Sequence, residues 1–177
     1  MASIQNRVIG ALQLNVATFE EVEHDQTATG QAALVVLAGA ISGGLGTGRL
    51  TGIVLGAILG LAGWAVGSYV VMFVGTRLLP GKNTEADFGQ LARTIGFAQA
   101  PNLLGILGIV PILGYLVRLV LGIWVLVAMV IAVRQALDYD DTFRAVIVCV
   151  IAWVIMFVMT MLVATLGVGT AVVGGGL

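Results

Sequence analysis

Gln99, Pro101, Asn102 and Arg118 are the residues of this chain whose chemistry asks most of their surroundings, because they stand inside long apolar stretches. An arginine at the centre of a bilayer costs at least about 2.5–3.5 kcal/mol. Arg118 therefore has two options. It can snorkel outward along its own stem, or it can line a polar pocket. In a pocket its partners would be Gln99, Asn102 and the carbonyls that Pro101 frees by breaking the backbone ladder. A broken helix carrying amide side chains is where a transporter would hold a substrate. It is equally what a kinked packing helix looks like. No acidic residue lies in these stretches, which argues against a carboxylate proton relay.

Catalysis finds little support. Ser42, Ser68 and Cys149 lie in apolar runs with no histidine to activate them. His24, the one histidine, stands among Glu20, Glu21, Glu23 and Asp25 and has no HExxH context. The expectation there is a solvated side chain and no metal. One cysteine excludes an intrachain disulfide and a thiolate cluster. No GxxxxGK[ST] or strand–glycine–helix pattern supports a phosphate cradle. The expected reading is non-enzymatic, with no cofactor.

The elements that must hold these residues follow from charge. Hydrophobic residues make up 59% of the 177 and charged residues 10%, against about 25% charged in soluble domains. All nine acidic residues, and six of the eight basic ones, fall in 1–30, 77–93 and 134–144. Only Arg49 and Arg118 lie outside. This segregation predicts an all-α integral membrane protein, and a net charge of -1 gives no case for nucleic-acid binding.

Roughly 20 apolar residues cross a bilayer. The run 31–76 suits two crossings, divided at Gly43, Gly44, Gly46, Thr47, Gly48 and Arg49. The run 94–133 also suits two, divided at Gly108-Ile109-Val110-Pro111 with Gly114 following. Five transmembrane helices are predicted at 31–47, 50–76, 88–109, 111–134 and 143–167, followed by a short exterior tail at 168–177. Thr84 and Asp87 are spaced as a capping box for the third. Arg7, Arg77, Lys82, Arg93, Arg134 and Arg144 then share one side, which the positive-inside rule makes cytoplasmic. The N-terminus is expected inside and the C-terminus outside. Residues 1–30 have no apolar region near the start, so the first span is expected to be its own insertion signal.

Ile4, Val8, Leu12, Val16, Phe19 and Val22 recur at helical spacing. They predict an N-terminal amphipathic helix over part of 1–30, lying in the membrane interface or packed on the protein's own cytoplasmic loops. Gly44, Gly48, Gly52, Gly56, Gly60, Gly63 and Gly67 form a stripe along one helix face. In lipid such a face lets backbones approach closely. Its partner would be the first span, through Gly39 and Gly43, or another membrane protein or a second copy of this chain.

Gly96-Phe97-Ala98 with Pro101, then Ile109-Val110-Pro111-Ile112-Leu113-Gly114, Ile123-Trp124, Val133-Arg134-Gln135-Ala136 and Thr142-Phe143-Arg144-Ala145, resemble in order and spacing the Yip (Yip-one domain) family over about 28–167. The resemblance implies a five-span membrane protein with a cytoplasmic N-terminus and a short exterior tail. Eukaryotic relatives are associated with Golgi and endoplasmic-reticulum membranes and Rab-type GTPases. Thr27-Ala28-Thr29-Gly30-Gln31 stands where those relatives carry an Asp-Leu-Tyr-Gly-Pro type element. That departure argues against Rab binding and for a bacterial-type member in the plasma membrane. The expected function is a scaffold, assembly factor or accessory subunit acting through helix–helix contacts among membrane lipids. The alternative is a transport or lipid-handling protein with a polar pocket at the Pro101 break.

Overall fold

The structure is a computed structural model and describes residues 3–46, 53–110 and 113–165. Arg49, Gly48, Gly52, Pro111 and the 168–177 tail lie outside them. The described residues form helices joined by non-helical connections, with no strand among them. Seven α-helices run in chain order: α1 Ile4–Leu12, α2 Val16–His24, α3 Ala28–Gly46, α4 Ile53–Phe73, α5 Phe88–Ala98, α6 Leu113–Ala136 and α7 Thr142–Thr165. A π-helical turn, Val74–Leu78, extends α4, and a 3-10 segment, Ala100–Ile109, follows α5.

Among the described residues, four helices are long and apolar enough to cross a membrane: Ala28–Gly46, Ile53–Leu78, Leu113–Ala136 and Thr142–Val163. Their outer faces are apolar, with Val54 at 74%, Tyr115 at 73% and Phe157 at 64% exposure. Such a surface suits hydrocarbon and not water.

The stretch expected as one helix over 88–109 is divided. Pro101 cannot donate to an α-helical ladder, and the Gln99 amide already bonds Gly96 O at 3.2 Å, an i→i−3 contact. The chain continues as 3-10 turns, with Asn102 N on Gln99 O at 2.9 Å. α5 starts at an Asp87–Gln90 capping box, three residues beyond the expected Thr84–Asp87 pair. Thr84 is engaged elsewhere: its hydroxyl donates to Leu137 O at 2.8 Å and accepts from Gly81 N at 2.8 Å.

α5 is the centre of the bundle. Every residue from Leu91 to Ala98 is buried, because α2, α3, α4 and α6 all pack on it. That enclosure keeps the least lipid-like stretch of the chain among protein side chains, away from the apolar outer faces. Its Phe97 joins Ala32, Val35, Ala128 and Ala132 in one core cluster, while Leu91 and Ile95 join Val71, Val133 and Val148 in a second.

The N-terminal segment is two helices where the periodicity predicts one. Leu14 adopts φ 57°, a left-handed conformation that interrupts a right-handed helix. Asn15 then caps α2 by accepting from Ala17 N at 3.0 Å. The inner faces of the pair pack on α5 and α6, and Phe19 and Val22 are fully buried. Trp124 of α6 donates to Leu12 O at 3.0 Å.

The three charged stretches meet on one end of the bundle. Arg93 donates to Val22 O at 3.0 Å and to Glu23 O, at the C-terminal turn of α2 where carbonyls lack helical partners. Tyr139 donates to Leu79 O at 2.6 Å, and Arg144 to Pro80 O at 2.7 Å.

Candidate functional site

The break after α5 is satisfied from α3. Ser42 donates to Leu103 O at 2.7 Å and accepts from Ile106 N at 2.9 Å, so it serves the 3-10 backbone on both sides. Glycine makes this possible: a Cβ on Gly105 would stand 2.9 Å from Gly43 Cα, and one on Gly39 would stand 3.0 Å from Asn102 Cβ. The first-span glycines thus pack on the 3-10 segment.

The stripe on α4 has a different setting. A Cβ on Gly60 would meet Ala40 Cβ at 3.2 Å, whereas Gly56, Gly63 and Gly67 have no atom of a described neighbour within 4 Å of that position. Gly44 faces Ile53, 3.3 Å away. Gly60, Gly63 and Gly67 line a cavity of about 540 Å³ whose other walls come from α3, the α5–3-10 break, α6 and α7.

Gln99, Asn102 and Arg118 lie in the wall of this same cavity. Asn102 Nδ2 donates to Gln99 Oε1 at 2.7 Å, so the two amides hold one another. Arg118 lies near the start of α6, with Nη1 3.6 Å from the Cβ position of Gly108. It makes no hydrogen bond or ion pair with any described residue. No acidic residue lines the cavity. Pro101 is buried and sets the break without forming the wall. Trp64, Trp153 and Met156 also line it; their sequence positions carry no mark that separates them from ordinary apolar residues. The Trp64 indole donates to Ala92 O at 2.9 Å, which fixes its ring at the rim of α5.

The motif residues are structural contacts. Gly96 faces Ala32 and Trp64, with the indole nitrogen 3.2 Å from its Cβ position. Phe97 is fully buried. Gly114 approaches the Gly108 carbonyl. Arg134 donates to Tyr139 O at 3.2 Å and to Asp140 O at 3.3 Å, closing the α6–α7 turn. Ser68 bonds its own helix at Trp64 O, 2.8 Å away. Among the described residues, no three His, Cys, Asp or Glu residues come together as a metal site.

A second polar centre lies outside the spans. Arg7, 1% exposed, bonds Glu21 Oε1 at 2.9 Å, Gln31 Oε1 at 3.0 Å and Asp25, joining α1, α2 and α3. Hydrogen bonds from Thr27 and then from Arg7 hold the Asp25 carboxyl down at about 2. Glu23, 3% exposed, accepts only a 3.3 Å bond from Gln90, and burial pushes its carboxyl up to about 7. His24 is raised by its bond to the Glu20 carbonyl and then by the Glu23 charge.

These features define an all-helical membrane protein with four long apolar helices and a broken, enclosed one. The Yip1 domain model matches residues 11–163, and the chain belongs to that family. No curated protein and no solved structure matches it.

Proposed function

We propose that this Yip1-domain protein is a five-span, non-enzymatic membrane protein that handles lipid in its intramembrane cavity. The observation that carries the reading is the cavity of about 540 Å³ lined by Gln99, Asn102 and Arg118 and by glycines with open Cβ positions. Its size suits a bound organic molecule, and at membrane depth the abundant candidate is a lipid.

Two geometric facts support five spans. The 77–93 and 134–144 stretches are hydrogen-bonded to each other, so the chain between them leaves one face and returns. α6 makes the return. The outward pass falls to α5 and the 3-10 segment, about 16 Å and about 20 Å long at 1.5 and 2.0 Å per residue, enough for a core of about 30 Å. The clustered Arg7, Arg77, Lys82, Arg93, Arg134 and Arg144 then face the cytoplasm, in a plasma membrane of bacterial type. Rab-type GTPase binding is not part of this reading.

The test is lipid retention. Native mass spectrometry of the detergent-extracted protein is expected to show a lipid adduct, and Gly63→Leu, which fills the cavity, is expected to lose it. Retention unchanged by Gly63→Leu removes the cavity from the reading.

A second reading is favoured by Gly56, exposed beside Val54 and Ile58 with open space at its Cβ position. There α4 offers a close-packing face to another membrane protein or a second copy, as scaffold or accessory subunit. Crosslinking in native membranes that yields monomers alone, with no co-purifying protein, goes against it.

A further inference from the structure

We propose that the cavity selects a phospholipid with a net anionic phosphate headgroup, seated on Arg118, with an acyl chain along Gly63 and Gly67. The inference rests on the lipid reading above and adds the headgroup chemistry.

Charge comes first. Arg118 has no ion pair or hydrogen bond with a described residue, and the cavity wall holds no carboxylate to neutralise it. A cation at membrane depth is stable only when it reaches water or an anion. Arg118 is five residues into α6, about 8 Å from its start. A phosphate drawn to that depth from the headgroup layer neutralises the guanidinium where it stands, through two parallel charge-assisted bonds that fit its planar fork.

The amides add polarity. The Asn102–Gln99 bond uses one donor of Asn102 and the oxygen of Gln99. The Gln99 Nε2 group keeps its donors and Asn102 Oδ1 its acceptor capacity. Donors suit phosphodiester oxygens, and the acceptor suits a hydroxyl on the headgroup or glycerol.

The glycine part of the lining suits a chain. Gly63 and Gly67 present bare backbone to open space, and Trp153 and Met156 supply an apolar, adaptable border. Methylene groups pack on such a surface without displacing a side chain. The cavity is smaller than a whole two-chain lipid, so the second chain stays in the bilayer.

The experiment compares headgroups on the full-length protein. The chain is reconstituted in nanodiscs containing equal amounts of phosphatidylglycerol and phosphatidylcholine with matched acyl chains. Lipid retained after extraction is measured by native mass spectrometry. The wild type is expected to retain phosphatidylglycerol in excess, because both headgroups offer the phosphate but only phosphatidylcholine adds a cation that Arg118 repels. Arg118→Gln is expected to bring that ratio near one, and Arg118→Lys to keep part of it. Equal retention of the two lipids by the wild type overturns the proposal, and so does an excess that Arg118→Gln leaves unchanged. Equal retention that Gly63→Leu abolishes overturns the headgroup selection while leaving lipid handling standing. No retained lipid in the wild type overturns both. The wild-type comparison needs no variant to fold.

Discussion

Glu23 and Arg93 show how two charged side chains can be buried for opposite reasons. Arg93 donates to carbonyls that α2 leaves unpaired at its end, so its charge meets aligned dipoles. Glu23 has no comparable donor, and burial holds its carboxyl near 7, well above the usual value near 4.5. In the window from about 4.5 to about 7 the folded chain therefore binds more protons at Glu23 than the unfolded chain does. Its stability falls as pH rises through that window. The full effect is about 3 kcal/mol. His24 acts in the same direction, since a raised imidazole also loses stabilisation as pH rises. Asp25 is depressed, to about 2, and its contribution is lost only below pH 4. Thermal unfolding is thus expected to give a higher Tm at pH 5 than at pH 8. Glu23→Gln is expected to flatten most of that difference, and an unchanged pH profile in the variant removes Glu23 as its source. None of this was legible beforehand, because the acidic stretch 20–25 reads as solvated until α5 is seen to cover it.

At the scale of elements, glycine separates into two uses that the spacing alone does not distinguish. Gly39, Gly43 and Gly105 bring α3 and the 3-10 segment into backbone contact, where Ser42 completes the hydrogen bonding. Gly56 meets no described residue within 4 Å of its Cβ position. Gly105→Ala is expected to destabilise by about 1–3 kcal/mol, since a Cβ there forces the two backbones apart. Gly56→Ala is expected to raise stability slightly through helix propensity. Reversible unfolding in detergent ranks the pair, and equal effects contradict the packing described. The stripe at intervals of four was visible as a helix face, but its neighbour was not, because helix adjacency is decided by tertiary packing. Pro101 marked the break of α5, yet the 3-10 continuation depends on Ser42, sixty-one residues away from the carbonyl it serves. Leu14, which turns α1 into α2, carries no sequence signal for a left-handed residue.

For the whole molecule, bilayer thickness sets how long an apolar helix must be to cross, and four helices among the described residues meet that length with charge nearly excluded. The same rule passes over α5, which is short, enclosed and partly polar, so its role rests on connectivity. If α5 and the 3-10 segment together cross, the number of crossings is odd and the termini lie on opposite sides. If they do not, α6 cannot return to the face that holds Arg93 and Tyr139. The hydrogen bonds from Arg144 to Pro80 O and from Tyr139 to Leu79 O tie those loops to one face. A labelling experiment decides between the two topologies. In the background Cys149→Ala, single cysteines at Ser3, Asn83, Asp140 and Leu177 are probed in intact cells with a membrane-impermeant maleimide. The expected pattern is labelling at 177 from outside and at 3, 83 and 140 only after permeabilisation. Labelling of 177 from the cytoplasmic side alone leaves an even number of crossings and overturns the five-span reading.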